Sequence, residues 1–211
     1  MRLYSFFLSS AAFRARIALN LKGVDYETVS VNLAQGEHRE PAFLATNPQA
    51  TVPVIDDDGT VLWQSLAIIE YLDARYPSPR LFPAEPVARA RVQALAQLIV
   101  CEIHPLNNLR VRNYLRDELK LDAAAQSRWY KHWIGEGFAS MEGLVRRFSG
   151  GRYCFGDAVS AADVCLVPQV YNARRFDCDL TPYPTIQRIA DGLRSEPAFA
   201  RAAPEQQPDA T

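Results

Sequence analysis

The chain has 211 residues, of which 48% are hydrophobic and 22% charged, a globular composition long enough for one large domain or two small ones. Its 23 lysines and arginines against 24 acidic residues leave a formal net charge of −1, which argues against a non-specific nucleic-acid binder or a polybasic membrane anchor. No apolar run reaches the ~20 residues of a membrane span, and Arg14 and Arg16 interrupt the apolar start where a signal peptide would continue.

The cysteines and histidines give no sign of a metal site. The four cysteines form no CxxC pair, and the three histidines show no HExxH spacing. We therefore expect free thiols in a reducing cytosol rather than disulfides, and no bound metal.

The first eighty residues alternate predicted strands with predicted helices. Strands are predicted at Arg2–Phe7, Tyr26–Leu33, Thr51–Ile55 and Thr60–Trp63. Helices are predicted after Ser9 or Ser10, at Glu40–Ala45 and after Ser65. The run Asp56-Asp57-Asp58-Gly59 between two apolar segments predicts a hairpin. This order of elements indicates a small mixed sheet with helices on its faces.

A proline-rich segment from Pro77 to Pro86 precedes a region that is predicted to be almost entirely helical. Helical patterns cover Val87–Leu119 with a kink at Pro105, Asp122–Phe148, Ser160–Arg175 and Tyr183–Leu193. Ser160 and Asp163 form a capping-box pattern, which we interpret as structural. The polar tail Pro204–Thr211 is expected to be poorly ordered. We expect domains at 1–80 and 87–211, joined by a linker at 81–86.

Three motifs in the first region have both a structural and a functional interpretation. Val52-Pro53 is either part of an edge strand or a cis-proline that leaves backbone groups available to a peptide-like ligand. Gln64-Ser65 is either a helix cap or a carboxylate site at a helix N-terminus. Ser9-Ser10 either caps a helix or stabilises a thiolate, and since no cysteine of the chain lies near this turn, a ligand would supply the sulfur.

The helical region carries two candidate polar groups. His104, Asn108 and Arg110 lie close together near the predicted kink, which suggests a polar pocket. Arg174 and Arg175 end the capped helix, where they either interact with the helix dipole or offer one guanidinium to a carboxylate.

These motifs, with several further runs, resemble the cytosolic glutathione transferases and most closely their zeta class, which includes the maleylacetoacetate and bacterial maleylpyruvate isomerases. The resemblance covers essentially the whole chain. The matching runs are Ser9-Ser10, Arg14–Leu19, Tyr26–Thr28, Val31–Leu33, Asn47-Pro48, Val52-Pro53, Gln64–Leu72, Asp163, Leu166–Val170, Asp179–Ile186 and Gln207–Asp209. It implies a thioredoxin-like α/β N-terminal domain, an all-α C-terminal domain, glutathione as cofactor and a homodimer.

The resemblance also implies roles for single residues. Ser9 would hydrogen-bond the glutathione thiolate with support from Ser10, and Arg175 would grip a substrate carboxylate; these three are the expected catalytic residues. The other residues implied to bind glutathione or reach the active site are Arg14, His38, Val52, Pro53, Gln64, Ser65, His104, Asn108 and Arg110. Two positions depart from the family pattern: Leu8 replaces a common arginine, and Ala11 replaces a cysteine.

The expected function is a cytoplasmic, glutathione-dependent cis–trans isomerase. It would convert maleylacetoacetate or maleylpyruvate to the fumaryl isomer in the breakdown of aromatic compounds or amino acids. Two alternatives remain open: a zeta-class transferase acting on another electrophile such as an α-haloacid, and a non-catalytic glutathione-binding module. Neither nucleic acid nor membrane is an expected partner.

Overall fold

The computed structural model describes residues 1–210, which form two compact units. The first unit combines residues 1–81 with residues 195–210, and the second spans Phe82–Arg194. The predicted second domain, 87–211, therefore differs from this division at its C-terminal end, because residues 195–210 pack on the first unit. Thr211 lies outside the described residues.

A mixed four-stranded sheet forms the centre of the first unit. Its strands are β1 (Arg2–Ser5), β2 (Glu27–Ser30), β3 (Val54–Asp57) and β4 (Thr60–Trp63), in the order β2-β1-β3-β4. The pairing of β1 is parallel with β2 and antiparallel with β3, which confirms the predicted mixed sheet. Strand β3 begins later than the predicted Thr51, because Pro53 has no N–H to donate to the ladder.

The predicted hairpin joins β3 to β4. Asp57 pairs with Thr60, so Asp58 and Gly59 form a two-residue turn with positive φ angles of 51° and 89°. The Asp56 carboxylate accepts a hydrogen bond from the Gly59 N–H at 2.8 Å. This is the geometry that an Asp-Gly pair favours between two strands.

Helices make up most of the remaining described chain. They are α1 (Ser10–Leu21), α2 (Pro41–Thr46), α3 (Ser65–Arg75), α4 (Pro86–Gln97), α5 (Leu109–Asp117), α6 (Ala123–Phe148), α7 (Ala161–Arg175), α8 (Pro184–Arg194) and α9 (Pro197–Ala202). Short 3-10 turns occur at Glu37–Arg39, Pro105–Asn107 and Pro204–Gln206. In the part of the chain described, no helix combines the length and apolar character needed to cross a bilayer.

Helix α1 lies at the centre of the packing in the first unit, in contact with both α3 and α9. The stretch of α1 from Ala12 to Leu19 is buried and packs against buried apolar side chains of the neighbouring elements. The core side chains include Leu3, Ile17, Leu19, Ile55, Ile68, Leu72 and Phe199. Two arginines of α1, Arg14 and Arg16, are also buried, with 1% and 0% of their surface exposed. A buried guanidinium is costly unless polar groups compensate it, so both positions need partners.

The second unit corrects one sequence prediction and confirms three. The helical pattern predicted over Val87–Leu119 with a kink at Pro105 is broken more completely than predicted: α4 runs into a π-helical segment, Leu98–Ile103, and a new helix begins after the 3-10 turn Pro105–Asn107. Proline lacks the N–H that continues a helix, and Asn108 then caps α5 by accepting from the Arg110 N–H at 3.1 Å. The helices predicted over 122–148, 160–175 and 183–193 are confirmed as α6, α7 and α8.

A buried capping box begins α7. The Asp163 carboxylate, 0% exposed, accepts hydrogen bonds from the Cys154 N–H and from both the N–H and the hydroxyl of Ser160, each at 2.8 Å. Burial raises the pKa of Asp163, and these hydrogen bonds oppose the change. The capping box predicted at Ser160 and Asp163 is confirmed.

The predicted linker and tail are both anchored to the protein. Leu81 and Phe82, at the start of 81–86, are completely buried, and the Leu81 N–H donates to the Asp73 carboxylate at 2.6 Å. The expectation of a poorly ordered tail is wrong for residues 204–210. Pro204 is buried, and the carboxylate of Asp209 accepts from a backbone N–H of the first unit.

Candidate functional site

Ser9 lies in the turn that joins β1 to α1. The Phe6 carbonyl accepts from the Ser9 N–H at 2.9 Å, and the Ser9 Oγ accepts from the Ala12 N–H at 3.2 Å. Ser9 is therefore the N-cap of α1, as predicted. Its hydroxyl donates to no other residue within 1–210, so the proton can be donated to a ligand. The amides at the start of α1 add partial positive charge there.

Ser10 is the first residue of α1 and is only 5% exposed. It belongs to the packing behind Ser9 rather than to the surface of the turn. A supporting role for Ser10 would therefore act through the position of Ser9.

Val52 offers an unpaired stretch of backbone. The peptide between Val52 and Pro53 is cis. Val52 also precedes β3, and neither its N–H nor its C=O is hydrogen-bonded to another residue within 1–210. Its side chain is buried with those of Val31, Phe43 and Val54. An extended peptide can supply a partner for both a backbone donor and a backbone acceptor.

Gln64 and Ser65 form the start of α3, although not in the predicted arrangement. Gln64 is the N-cap residue and Ser65 the first helical residue, so the prediction that Ser65 caps the helix is wrong. Gln64 has a φ of 71°, and its side-chain amide donates to Gln49 at 3.0 Å instead of capping. A left-handed conformation in a non-glycine residue costs on the order of 1 kcal/mol and concentrates at ligand sites. The first N–H groups of α3 have no partner within the helix.

Arg14 reaches the start of α3 from α1. Its Nη1 donates to the Ser65 Oγ at 3.3 Å, and Ser65 is itself only 3% exposed. The Ser65 hydroxyl is therefore bound to Arg14 rather than to the helix amides. This contact places a buried cation behind an amide-rich helix N-terminus, and both features favour an anion such as a carboxylate.

His38 lies in the 3-10 turn Glu37–Arg39 and is partly exposed. Its Nδ1 is buried and has no hydrogen-bond partner among the described residues. Burial, and to a smaller degree the charge of Arg39, lower the pKa of His38 below its usual value. This shift favours the neutral form of the imidazole at pH 7, and the buried Nδ1 is a polar atom that the fold leaves unpaired.

The polar group predicted near Pro105 gathers at the break before α5. His104 Nε2 lies 3.5 Å from the Asn108 side-chain nitrogen. Arg110 is exposed, and within residues 1–210 its guanidinium makes no hydrogen bond. The structure thus joins His104 to Asn108 and leaves the Arg110 side chain available to a ligand.

Arg174 and Arg175 differ sharply although they are adjacent at the end of α7. Arg174 forms a two-pronged ion pair with Asp191, at 2.7 and 3.0 Å. Arg175 is exposed, lies 5.2 Å from the centre of the Phe176 ring and hydrogen-bonds to no residue that the structure describes. Of the two arginines, Arg175 is therefore the one available to grip a carboxylate.

Sequence reasoning missed Arg112. A cavity of about 200 Å³ in the second unit is lined by Arg112, Ala123, Gln126, Ser127, Tyr130 and Phe176. The Arg112 guanidinium lies 4.6 Å from the centre of the Phe176 ring and 5.9 Å from that of Tyr130, and it has no acidic partner within 1–210. Burial lowers the pKa of Arg112. The rings come from α6 and from the end of α7, so no local pattern around Arg112 indicated this cluster.

Among the described residues, no three His, Cys, Asp or Glu side chains are placed to hold a metal ion.

Comparison with known proteins identifies the family. Residues 1–74 match the family model for the glutathione S-transferase N-terminal domain. The chain is 51% identical over 210 residues to a "probable maleylacetoacetate isomerase" of Vibrio cholerae serotype O1, covering 99% of this chain and 97% of that protein.

Solved structures agree with this assignment over the full length. A holo maleylpyruvate isomerase, described as a bacterial glutathione S-transferase of the zeta class, superposes with a TM-score of 0.98 at 49% identity and 100% coverage of both chains. A maleylacetoacetate isomerase from Methylobacterium extorquens AM1, solved with bound malonate and glutathione, gives a TM-score of 0.93 at 41% identity, again covering both chains completely. The fold class expected from the sequence, a thioredoxin-like α/β unit with an all-helical unit, is confirmed. This chain belongs to the zeta class of the glutathione transferase family.

Proposed function

We propose that this protein is a glutathione-dependent cis–trans isomerase that converts maleylacetoacetate or maleylpyruvate to the fumaryl isomer. The observation that carries the proposal is the Ser9 hydroxyl, which caps α1 and keeps its own proton available. Relatives that carry these isomerase names align with the chain over nearly its full length, which supports isomerisation over the transferase and binding-module alternatives.

Glutathione fits the first unit because the unpaired groups there correspond to parts of a tripeptide thiol. The unpaired N–H and C=O of Val52 can pair with the central, cysteinyl residue. The amides that begin α3, with Arg14 behind Ser65, suit the carboxylate of the γ-glutamyl end. Gln64 adds a side-chain amide at the same position.

Bound glutathione supplies a sulfur nucleophile that adds reversibly to the activated double bond, which leaves a single bond about which the substrate can rotate. Ser9 favours the anionic form of that sulfur by donating its hydroxyl proton in a hydrogen bond. The amides at the start of α1 act in the same direction. Each unit by which the thiol pKa falls corresponds to about 1.4 kcal/mol of preference for the thiolate.

Arginines of the second unit hold the substrate in this proposal. Arg175 and Arg110 both present guanidinium groups without an internal carboxylate partner among the described residues. Each can bind a carboxylate through two parallel hydrogen bonds and stabilise the negative charge that develops when the double bond is attacked. The malonate in the Methylobacterium relative is a dicarboxylate, which supports a diacid substrate.

Two further properties are part of the proposal: a homodimer and a cytoplasmic location. The dimer rests on the family assignment and on the exposed Trp63 of edge strand β4, 46% of whose surface is accessible. Among the described residues, Cys101, Cys154, Cys165 and Cys178 form no disulfide, which supports a reducing compartment. Light scattering in solution tests the dimer, and a monomeric mass contradicts it.

The function is tested by following the absorbance of maleylacetoacetate and maleylpyruvate, each with and without glutathione. We expect isomerisation of at least one substrate that requires glutathione and leaves its concentration unchanged. A protein that binds glutathione but isomerises neither substrate contradicts the proposal. Halide release from α-haloacids would then favour the transferase alternative, and no turnover of any electrophile would favour a binding module.

A further inference from the structure

The turn that carries Ser9 is held on one side by a buried guanidinium. Arg16, 0% exposed, donates to the Phe6 carbonyl at 3.4 Å, to the Phe7 carbonyl at 3.0 Å and to the Ser5 hydroxyl at 3.0 Å. The Phe6 carbonyl also accepts the Ser9 N–H that closes the turn. Arg16 therefore fixes the acceptor groups of the segment from Ser5 to Ser9.

The C-terminal segment holds the other side of the same turn. Asp209 Oδ2 accepts from the Phe7 N–H at 3.0 Å and from the Ser30 hydroxyl at 3.3 Å. Asp209 Oδ1 is buried and has no hydrogen-bond partner within 1–210. An incompletely paired carboxylate costs free energy unless a nearby cation compensates it.

Arg16 and Asp209 carry opposite charges, and both bind the backbone of Phe7. Burial lowers the pKa of Arg16 to about 10, which is still well above 7, so Arg16 stays protonated at pH 7, and the negative charge of Asp209 favours that form. Its Nε also donates to the carbonyl of Ala202, the last residue of α9, at 2.9 Å. The C-terminal segment thus contacts the Ser9 turn directly through Asp209 and indirectly through Arg16.

We infer that Asp209 is a positioning residue for Ser9: with Arg16 it clamps the Phe6–Ser9 turn, so that the Ser9 hydroxyl is held where the glutathione sulfur binds. This inference rests on the proposed role of Ser9. Without the Asp209 carboxylate, the Phe7 N–H loses its acceptor and the turn can shift while the helix behind it stays in place. A displacement of about 1 Å of a catalytic group can cost up to about 100-fold in rate.

Three variants separate this role from general support of the fold. Asp209→Ala removes the acceptor. Asp209→Asn keeps a side-chain oxygen for the Phe7 N–H but removes the charge. Asn20→Ala is the matched control, because Asn20 also ties the C-terminal segment to α1, through the Ala198 carbonyl at 2.9 Å, without touching the turn.

The measurements are the ultraviolet thiolate titration of bound glutathione, kcat, the KM for glutathione, and Tm. In Asp209→Ala we expect the pKa of the bound thiol to rise by about half to one unit and kcat to fall about tenfold, with KM changed less than about threefold. In Asp209→Asn, the thiol pKa and kcat should both stay close to their wild-type values. Asn20→Ala should lower Tm while leaving the thiol pKa at its wild-type value.

An Asp209→Ala protein that folds and keeps the wild-type thiol pKa and kcat overturns the inference. An equal rise of the thiol pKa in Asn20→Ala overturns it as well, since any loosening of the C-terminal segment would then suffice. If Asp209→Ala does not fold, Asp209→Ser, whose side chain is one atom shorter and carries no charge, provides the same test. If the wild-type protein does not lower the pKa of the bound glutathione thiol, the proposed role of Ser9 itself is contradicted. Failure of the Asp209 inference can therefore be told apart from failure of the proposed role of Ser9.

Discussion

The two units present their candidate ligand groups in opposite ways. In the first unit these groups are backbone amides, an unpaired Val52 peptide unit and the caps of helices, and buried side chains such as Arg14 hold them from behind. In the second unit the candidates Arg110 and Arg175 are exposed side chains at helix ends. In the proposed function, binding by the first unit would therefore depend on the fold itself, whereas substitutions at Arg110 and Arg175 would change the specificity of the second unit without disturbing its packing.

The buried polar groups of the two units also differ in what they support. Arg16 and Asp209 surround the turn that carries Ser9. The buried Asp163 carboxylate of the second unit accepts from Ser160 and Cys154, neither of which is a candidate ligand residue. Four substitutions test this contrast, in order of decreasing expected effect.

Replacing Asp163 with Ala should have the largest effect, on stability alone. Three hydrogen-bond donors lose their buried acceptor, which should lower the free energy of unfolding by about 3–5 kcal/mol. Urea denaturation measures this, with Asp122→Ala as the matched control, because Asp122 caps α6 at an exposed site and its loss should cost about 1 kcal/mol. If the folded Asp163 variant lost its affinity for glutathione, the contrast between the units would fail.

Replacing Ser9 with Ala should mainly affect chemistry. Loss of the hydroxyl donor should reduce kcat about 100-fold and raise the pKa of the bound glutathione thiol. Ser9→Thr keeps a hydroxyl that can cap α1 and should retain much of the activity. Stopped-flow kinetics and a thiolate titration provide the test. Equal kcat values in the Ala variant and the wild type would remove Ser9 from the mechanism.

Replacing Arg175 with Ala should reduce kcat/KM for diacid substrates about 10- to 100-fold, the loss of one charge-assisted hydrogen-bonded contact of about 1.5–3 kcal/mol. Its neighbour is the natural control. Arg174→Ala should leave kcat/KM within about twofold and cost less than about 1 kcal/mol of stability, because Arg174 is engaged by Asp191 in a partly exposed ion pair. Similar losses in both variants would show that helix charge, rather than a specific grip by Arg175, matters.

His38 should give the smallest effect, visible in the pH dependence of stability. Because the folded pKa of His38 is below its usual 6.5, the unfolded chain takes up a proton first as the pH falls. The contribution of the neutral His38 to the free energy of unfolding is complete above about pH 6.5 and is lost as the pH falls toward the pKa of His38 in the folded protein. His38→Gln should reduce the difference in unfolding free energy between about pH 7 and about pH 5.5, only slightly since solvent screens a partly exposed imidazole. An unchanged difference would contradict this account of His38.

Local sequence patterns predicted most of the elements because those elements depend on local chemistry. The Asp58-Gly59 turn, the Ser9 cap and the capping box at Ser160 each follow from residues within four positions of one another. The break after Pro105 was underestimated because an apolar periodicity continues through it, although proline cannot continue the hydrogen bonding.

Contacts between distant parts of the chain could not be predicted in this way. By its local sequence Arg16 is a charge that interrupts an apolar segment, and its complete burial depends on partners in α9 as well as in the turn before Ser9. The Arg112 cavity likewise needs rings from two other helices. For the site residues, sequence patterns indicated Ser9, Val52 and Gln64 but not the side chains that hold them.

The return of residues 195–210 to the first unit has a consequence for how the protein is made. A ribosome completes the whole second unit, Phe82–Arg194, before it has synthesised the last helix of the first unit. Domains generally fold as units during synthesis, and N-terminal ones fold first when they are continuous. Here the helical unit is the first to have all its residues, while the sheet that precedes it emerges without α9 and Asp209. The first unit, whose residues are synthesised first, should therefore be the last part of the nascent chain to complete its folding.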